Sequence, residues 1–176
     1  MSDKSTKPEI IGILFAKLKP EKNEVFADIG CGSGSVSDFF APFVKKVYAV
    51  DVDENAVNQA RKKLSKHKNV ELINSDGYEF LKRSDSDIVF FGGTKNVEKM
   101  LEVCKAKKIA VNAARIEIAV KVVEKMKNMG IFKEMLIVNI SKSYELAGGT
   151  AFKNLNPVFV VVGSSCLLYT SPSPRD

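Results

Sequence analysis

Several things are scarce in this chain of 176 residues. It has no run of about 18 apolar residues, which excludes an ordinary membrane-spanning helix. Residues 1–7 are polar and lack the apolar centre of a secretion signal. Cysteine occurs three times, at Cys31, Cys104 and Cys166, an odd number with no motif spacing. That argues against a disulfide framework or a zinc site and fits a reducing, cytoplasmic setting with no resident metal. The single histidine, His67, falls between Lys66 and Lys68 at the end of a helical pattern, where a solvated residue is expected rather than a base. Lysine and arginine outnumber the acids by 27 to 21, for a formal net charge of +6. The basic residues never form a block of about five or six, so no polyanion-binding tail is expected. Most of the lysines read as solvated helix faces.

What the chain does have is alternation. Short apolar runs at Glu24–Ile29, Lys46–Asp51, Asn69–Asn74, Asp87–Phe91 and Lys108–Ala113 read as strands. Between them, 3.6-residue stripes predict helices over Ser35–Phe43, Glu54–Lys66, Gly77–Lys82, Val97–Cys104 and Glu117–Asn128, the last closed by Gly130. An amphipathic helix, Pro8–Leu18, precedes them with proline in its first turn. Such alternation predicts an α/β fold, doubly wound and Rossmann-like, with a mostly parallel sheet covered on both faces. Glu134–Ile140 and Pro157–Val162 are two further strands. The segment between them, Ser141–Asn156, carries Gly148-Gly149 and no helical period, so a direct return and a final antiparallel strand are expected. The length suits one domain, residues 1–163. From Ser164 on, the chain turns Ser/Pro-rich, and CLLYTSPSPRD resembles a translated sequencing-library adapter. Residues 164–176 are read as a non-native or disordered tail.

The first strand runs into Asp28-Ile-Gly-Cys-Gly-Ser-Gly34 and then a helix. Glycines there permit positive φ and bring a ligand against bare backbone and the free N–H groups of a helix start. The third glycine comes one position early for the dinucleotide pattern, which leaves a nucleotide-dependent dehydrogenase as a weak alternative. Acids end the next two strands. Asp51 is placed to accept hydrogen bonds from a ribose diol, and Asp76 follows the third strand beside Gly77. Each acid alone is equally well a helix cap, as Asp53 is. Their joint placement after the glycine turn favours a nucleoside site. Cys31 reads as a small packing residue without an electropositive partner.

The turn, Val47-Tyr-Ala-Val-Asp51, Phe91-Gly-Gly93, Gly148-Gly149, Asn156-Pro157 and Thr6-Lys7-Pro8-Glu9 together resemble the decarboxylating precorrin C(15)-methyltransferases, within the class I methyltransferases. The resemblance spans about Thr6 to Val162. It implies a seven-stranded sheet with the last strand antiparallel and S-adenosyl-L-methionine as cofactor. It further implies methylation of a ring carbon of a reduced tetrapyrrole, of cobalt-precorrin-6B type, coupled to loss of an acetate carboxyl in cobalamin biosynthesis. By resemblance the cofactor meets Thr6, Gly30, Cys31, Gly32, Ser33, Gly34, Asp51, Asp76 and Gly77, with Asp28 near its amino-acid part. Gly92, Gly93, Thr94, Arg115, Lys142, Gly148 and Gly149 are candidate substrate contacts, and Lys95 and Lys153 further candidates for its carboxylates. The Gly92-Gly93 pair is expected to open space and backbone N–H groups to a bulky acceptor. The family's homotetramer is the expected assembly. Two other functions stay open on sequence: a tRNA adenine-N1 methyltransferase-like enzyme, and a non-catalytic cofactor-binding subunit.

Overall fold

The computed structural model describes residues 5–165. Helix α1 (Pro8–Leu18) is followed by β1 (Val25–Ile29), α2 (Ser35–Phe40), β2 (Lys46–Asp51), α3 (Glu54–Leu64), β3 (Val70–Asn74), α4 (Gly77–Arg83), β4 (Ile88–Phe91), α5 (Val97–Val103), β5 (Lys108–Ala113) and α6 (Ile116–Asn128). Four more strands end the fold: β6 (Phe132–Val138), β7 (Ser141–Leu146), β8 (Gly149–Asn154) and β9 (Val158–Ser164). The expected helix over Ser35–Phe43 stops at Phe40 and continues as a 3-10 turn, Ala41–Phe43. Pro42 has no N–H to continue the α ladder.

Seven strands form one sheet in the order β3-β2-β1-β4-β5-β9-β6. The first five are parallel, and β9 runs antiparallel between β5 and β6. The order of strand addition reverses at β1, for β2 lies on one flank and β4 on the other. That is where an open α/β sheet leaves a crevice at its C-terminal edge.

Alternation along the strands sorts two cores. Ala27, Ile29, Val89, Phe91, Ile109 and Val111 face α5 and α6. Phe26, Phe90, Ala110, Val160 and Val162 face α1 and α2. Phe26 and Phe40 stack at 4.4 Å between ring centroids and join α2 to the second core.

Residues 141–154 depart from the expected plain return. They form a separate two-stranded hairpin, β7 against β8, with Leu146 paired to Gly149. Ala147 and Gly148 both have positive φ, 50° and 78°, the backbone of a two-residue turn whose twist suits a hairpin. The hairpin is exposed on both faces, including Tyr144, Leu146 and Phe152. Leu155 N–H donates to Ile140 O at 2.8 Å at its base.

Strand β9 runs through Ser164, and Ser165 donates from N to Lys107 O at 3.1 Å and from Oγ to Ala106 O at 2.9 Å. These two residues therefore belong to the fold and not to the tail assigned to them. Residues 166–176, including Cys166, lie outside the described residues.

Candidate active site

The glycine turn forms as expected, for stronger steric reasons than a loose loop would need. Gly30, Gly32 and Gly34 all have positive φ, at 77°, 53° and 77°. A Cβ on Gly30 would sit 2.7 Å from Gly93 N, and one on Gly92 2.9 Å from Gly30 O. The tips of β1 and β4 thus touch backbone to backbone. Gly92 N and Gly93 N both donate to Ile29 O, at 2.9 and 3.3 Å. The Gly92-Gly93 pair therefore closes a contact and its N–H groups are not free as expected, while Gly92 and Gly93 each border a cavity. Gly34 is tight against Leu64 and Ala60 of α3, whereas Gly32 has open space around its Cβ position. Of the three, Gly32 is where bare backbone faces outward.

Asp28 lies beneath this turn, 1% exposed. Its Oδ2 accepts from Ser37 N at 3.1 Å and Ser37 Oγ at 2.7 Å. Its Oδ1 is buried with no hydrogen-bond partner among the described residues. Burial pushes the carboxyl up to about 7 against the two Ser37 bonds, with the Asp51 charge adding to the rise. Asp28, Thr6, Gly30, Cys31, Gly32 and Ser33 line one small cavity of about 60 Å3. The cavity brings the segment before α1 over the turn, where Thr6 is expected.

Asp51 points into the turn. Its Oδ2 accepts from Gly32 N at 2.9 Å and its Oδ1 from Asp53 N at 3.0 Å. An ionised carboxylate has about four lone-pair sites, so both oxygens keep capacity for a further donor. Asp53 is the cap of α3, accepting from Asn55 N at 2.9 Å. Asp76 caps α4 through Oδ1, from Tyr78 N at 2.9 Å and Glu79 N at 3.3 Å, and also borders the site. Asp51, Asp76, Gly77, Gly93, Lys95 and Met100 line a second cavity of about 330 Å3 on the other side of the β1 tip. A Cβ on Gly77 would meet Ile29 Cγ2 at 2.6 Å and Met100 Sδ at 2.8 Å. Only glycine lets α4 start that close to the sheet.

Cys31 is buried, and desolvation first, then Asp28 and Asp51, push its thiol well above the ordinary range. It is no nucleophile. His67 differs from the expected solvated residue. Its side chain is 15% exposed and Nε2 meets Asp38 Oδ1 at 2.6 Å, tying the end of α3 to α2.

The candidate substrate residues divide. Thr94, Lys95 and Arg115 come together with Asn96 and Lys121 around a third cavity of about 430 Å3 at the tips of β4 and β5. Lys142 instead pairs with Glu9 of α1 at 2.9 Å. Lys153 stands opposite Lys142 in the hairpin, and Gly148 and Gly149 form its tip and edge. Sequence reasoning missed Asn96, which joins the second and third cavities and has φ of 58°. Asparagine tolerates that conformation better than most residues, and its place two positions after Thr94 was the available signal. It also missed Asn112, whose Oδ1 is buried without a partner among the described residues.

The family profile described as precorrin methyltransferase domain matches residues 2–163. A protein of Archaeoglobus fulgidus named "Probable cobalt-precorrin-6B C(15)-methyltransferase (decarboxylating)" is 56% identical over 93% of this chain and 99% of its own. Among solved structures, a precorrin-8W decarboxylase of Methanobacterium thermoautotrophicum has a TM-score of 0.85 at 29% identity, over 91% of each chain. A precorrin-6Y C5,15-methyltransferase of Geobacter metallireducens also has a TM-score of 0.85, at 27% identity over 93% of each chain. The parallel sheet closed by an antiparallel strand, the glycine turn between two cavities and these matches lead to one assignment: the chain belongs to the precorrin methyltransferase family.

Proposed function

We propose that this protein transfers a methyl group from S-adenosyl-L-methionine to a ring carbon of a reduced tetrapyrrole of cobalt-precorrin-6B type, with loss of CO2 from an acetate arm. The observation that carries the cofactor part is Asp28 Oδ1, a buried acceptor without a partner beneath the open Gly32 backbone. A buried unsatisfied acceptor costs about 1–3 kcal/mol, so its persistence argues for a ligand that answers it. An ammonium suits it. Asp28 and Thr6 would hold the amino-acid end of the cofactor in the small cavity beside Gly30, Cys31, Gly32 and Ser33. Asp51 would take the ribose hydroxyls, already oriented by its two backbone donors. Asp76 and Gly77 would border the base, while Gly34 contributes by seating the turn on α3.

When bound, the cofactor supplies an electrophilic methyl on a sulfonium. The protein's own part is orientation and exclusion of water, which can account for about 7–11 kcal/mol of a barrier. The close contact of the β1 and β4 tips would limit how deeply the donor could sit. An electron-rich ring carbon needs little help from a base, in keeping with a site built of backbone and carboxylates. Lys95 and Arg115, with Thr94, are the substrate-carboxylate contacts this reading favours, since they share one cavity next to the nucleoside side. Lys142 is engaged by Glu9, and Gly148 and Gly149 turn the hairpin, so their part is in assembly. The exposed apolar hairpin supports the homotetramer of the family resemblance, because isolated two-stranded hairpins are marginal without a partner. No helix among the described residues is long and apolar enough to cross a membrane; a cytoplasmic setting is part of the proposal.

The test is calorimetry with S-adenosylhomocysteine, then mass spectrometry after incubation with the cofactor and the tetrapyrrole. A product heavier by a methyl and lighter by CO2 is expected. No mass change, with tRNA methylated in steeply salt-dependent fashion instead, would overturn it. Normal cofactor binding with no methylated acceptor of either kind would favour a non-catalytic subunit.

A further inference from the structure

Two rungs of polar side chains join α2 to α3. Ser35 and Asp38 stand three residues apart on α2; Lys63 lies in the last turn of α3 and Lys66 just beyond it. In one rung Lys66 Nζ meets Asp38 Oδ1 at 2.9 Å, so cation and anion answer each other. In the other, Lys63 Nζ donates to Ser35 Oγ at 2.7 Å. That partner is neutral, and Lys63 has no ion pair among the described residues. The second rung is therefore a cation whose anion is not supplied by the fold.

Ser35 carries the contact onward. Its Oγ lies 3.1 Å from Ser33 Oγ, and both serines line the small cavity together with Asp28. An ammonium only donates, so Ser35 Oγ accepts from Lys63 and keeps its own proton. Two hydroxyl protons share one bond between the two oxygens. Whichever serine donates, one proton is left without an acceptor among the described residues. The same cavity contains the opposite case, Asp28 Oδ1, a buried acceptor without a donor. One wall thus lacks a donor, and another offers one with a cation behind it.

An α-ammonium beside an α-carboxylate has the matching pair of poles. Asp28 answers the ammonium of the proposed cofactor, which leaves its carboxylate to be placed. We propose that Lys63 is a positioning residue for that carboxylate, acting through Ser35 and Ser33. Donation from the ammonium polarises the serine pair, and the uncommitted hydroxyl becomes a stronger donor to an anion in the cavity. Lys63 also supplies the counter-charge at the far end of the chain. It is exposed, so this part of its effect is weakened by water and by salt. The inference rests on the proposed cofactor site and adds a residue on α3, outside the glycine turn.

Wild-type protein, Lys63→Met and Lys63→Arg are titrated calorimetrically with two ligands: S-adenosylhomocysteine, and its decarboxylated analogue, which keeps the ammonium. Lys63→Met should bind S-adenosylhomocysteine about fivefold more weakly at low salt, and the gap should narrow at about 1 M salt. The decarboxylated analogue should bind wild type and Lys63→Met within about twofold of each other, since it has no anion for the serine pair. Lys63→Arg keeps charge and donors and should restore the wild-type preference. The position is exposed, so melting temperature should change little. Should Lys63→Met fold poorly, Ser33→Ala is read in its place and should lose affinity for the carboxylate ligand alone. Equal weakening of both ligands, or of neither, makes Lys63 a strut between α2 and α3 and overturns the proposal. A wild type that binds the two ligands equally well overturns it too. A wild type that binds neither overturns the cofactor site itself, and this inference with it.

Discussion

The two edges of the seven-stranded sheet are built from the same strands and follow opposite rules. At the N-terminal edge nearly every charge is answered. Lys108 reaches Glu24 at 2.8 Å and Lys19 O at 2.9 Å, Lys17 reaches Glu134 at 2.8 Å, and Asp87 Oδ2 accepts from Val25 N at 2.9 Å. At the C-terminal edge two acceptors stay unanswered and three glycines hold positive φ. Cavity size does not separate the edges. The N-terminal cavity, about 620 Å3, exceeds the 330 Å3 beside Asp51. Unsatisfied polar groups do separate them, because they are costly unless a ligand completes them.

The comparison breaks first, if it breaks, at Asp28. Its carboxyl rises from 3.8 to about 7 on burial, so the folded chain holds this proton more tightly than the unfolded one. The stability linked to it is fully present below about pH 4 and is lost as pH rises through about 7. Asp28→Asn removes that dependence. Unfolding titrations should show wild type losing up to about 4 kcal/mol relative to the variant across this window. Saturating S-adenosylhomocysteine should reduce the loss, and the variant should bind it more than about tenfold less tightly. Parallel pH profiles for the two proteins would show that the acid is not strained.

Gly30→Ala comes next. It forces a Cβ to 2.7 Å from Gly93 N at a φ of 77°, a cost of about 2–4 kcal/mol from the left-handed backbone and the overpacking together. Gly32→Ala has open space and should cost only about 1–2 kcal/mol of stability, while still lowering cofactor affinity by crowding it. If both variants melt alike, the close approach of the strand tips is not the constraint it is taken to be. Asp51→Ala should weaken S-adenosylhomocysteine by about 2–3 kcal/mol in calorimetry, through loss of hydrogen bonds to a charged acceptor. Unchanged affinity would remove the nucleoside site from the C-terminal edge.

Much of this was legible in the residues. The five parallel strands were readable because each is a short apolar run followed by a helical pattern, and the reversal at β9 because no helix separates it from β6. The hairpin was not. Its apolar residues are few and split between faces, with Tyr144, Leu146 and Ala151 on one and Phe152 on the other, so neither strand shows the sustained apolar alternation that marks a half-buried strand. Ala147-Gly148 was its one local signal. At the site, the place of Asp51 at the end of β2 was readable, and its bond from Gly32 N was not. The N–H groups of Gly92-Gly93 were expected free and are not, because sequence does not say which backbone a glycine is pressed against. Asn112 looked like any polar residue ending a strand, and only the three-dimensional absence of a donor distinguishes it.

The smallest effect tests the saturated edge. Lys108→Met keeps an apolar stem of similar length but removes the charge from Glu24, whose side chain is 12% exposed against 27% for the lysine. Glu24 Oε2 keeps its bond from Glu21 N at 2.8 Å, so it is not left bare. A partly exposed pair with one surviving hydrogen bond should cost about 1 kcal/mol, seen as a lower denaturant midpoint at unchanged slope. Cofactor affinity should not change, because Lys108 starts β5 and the site lies beyond its other end. A loss of affinity equal to the loss of stability would mean that the two edges are coupled through the strands. The ion pairs would then be part of how the unanswered acceptors at the other end are held in place.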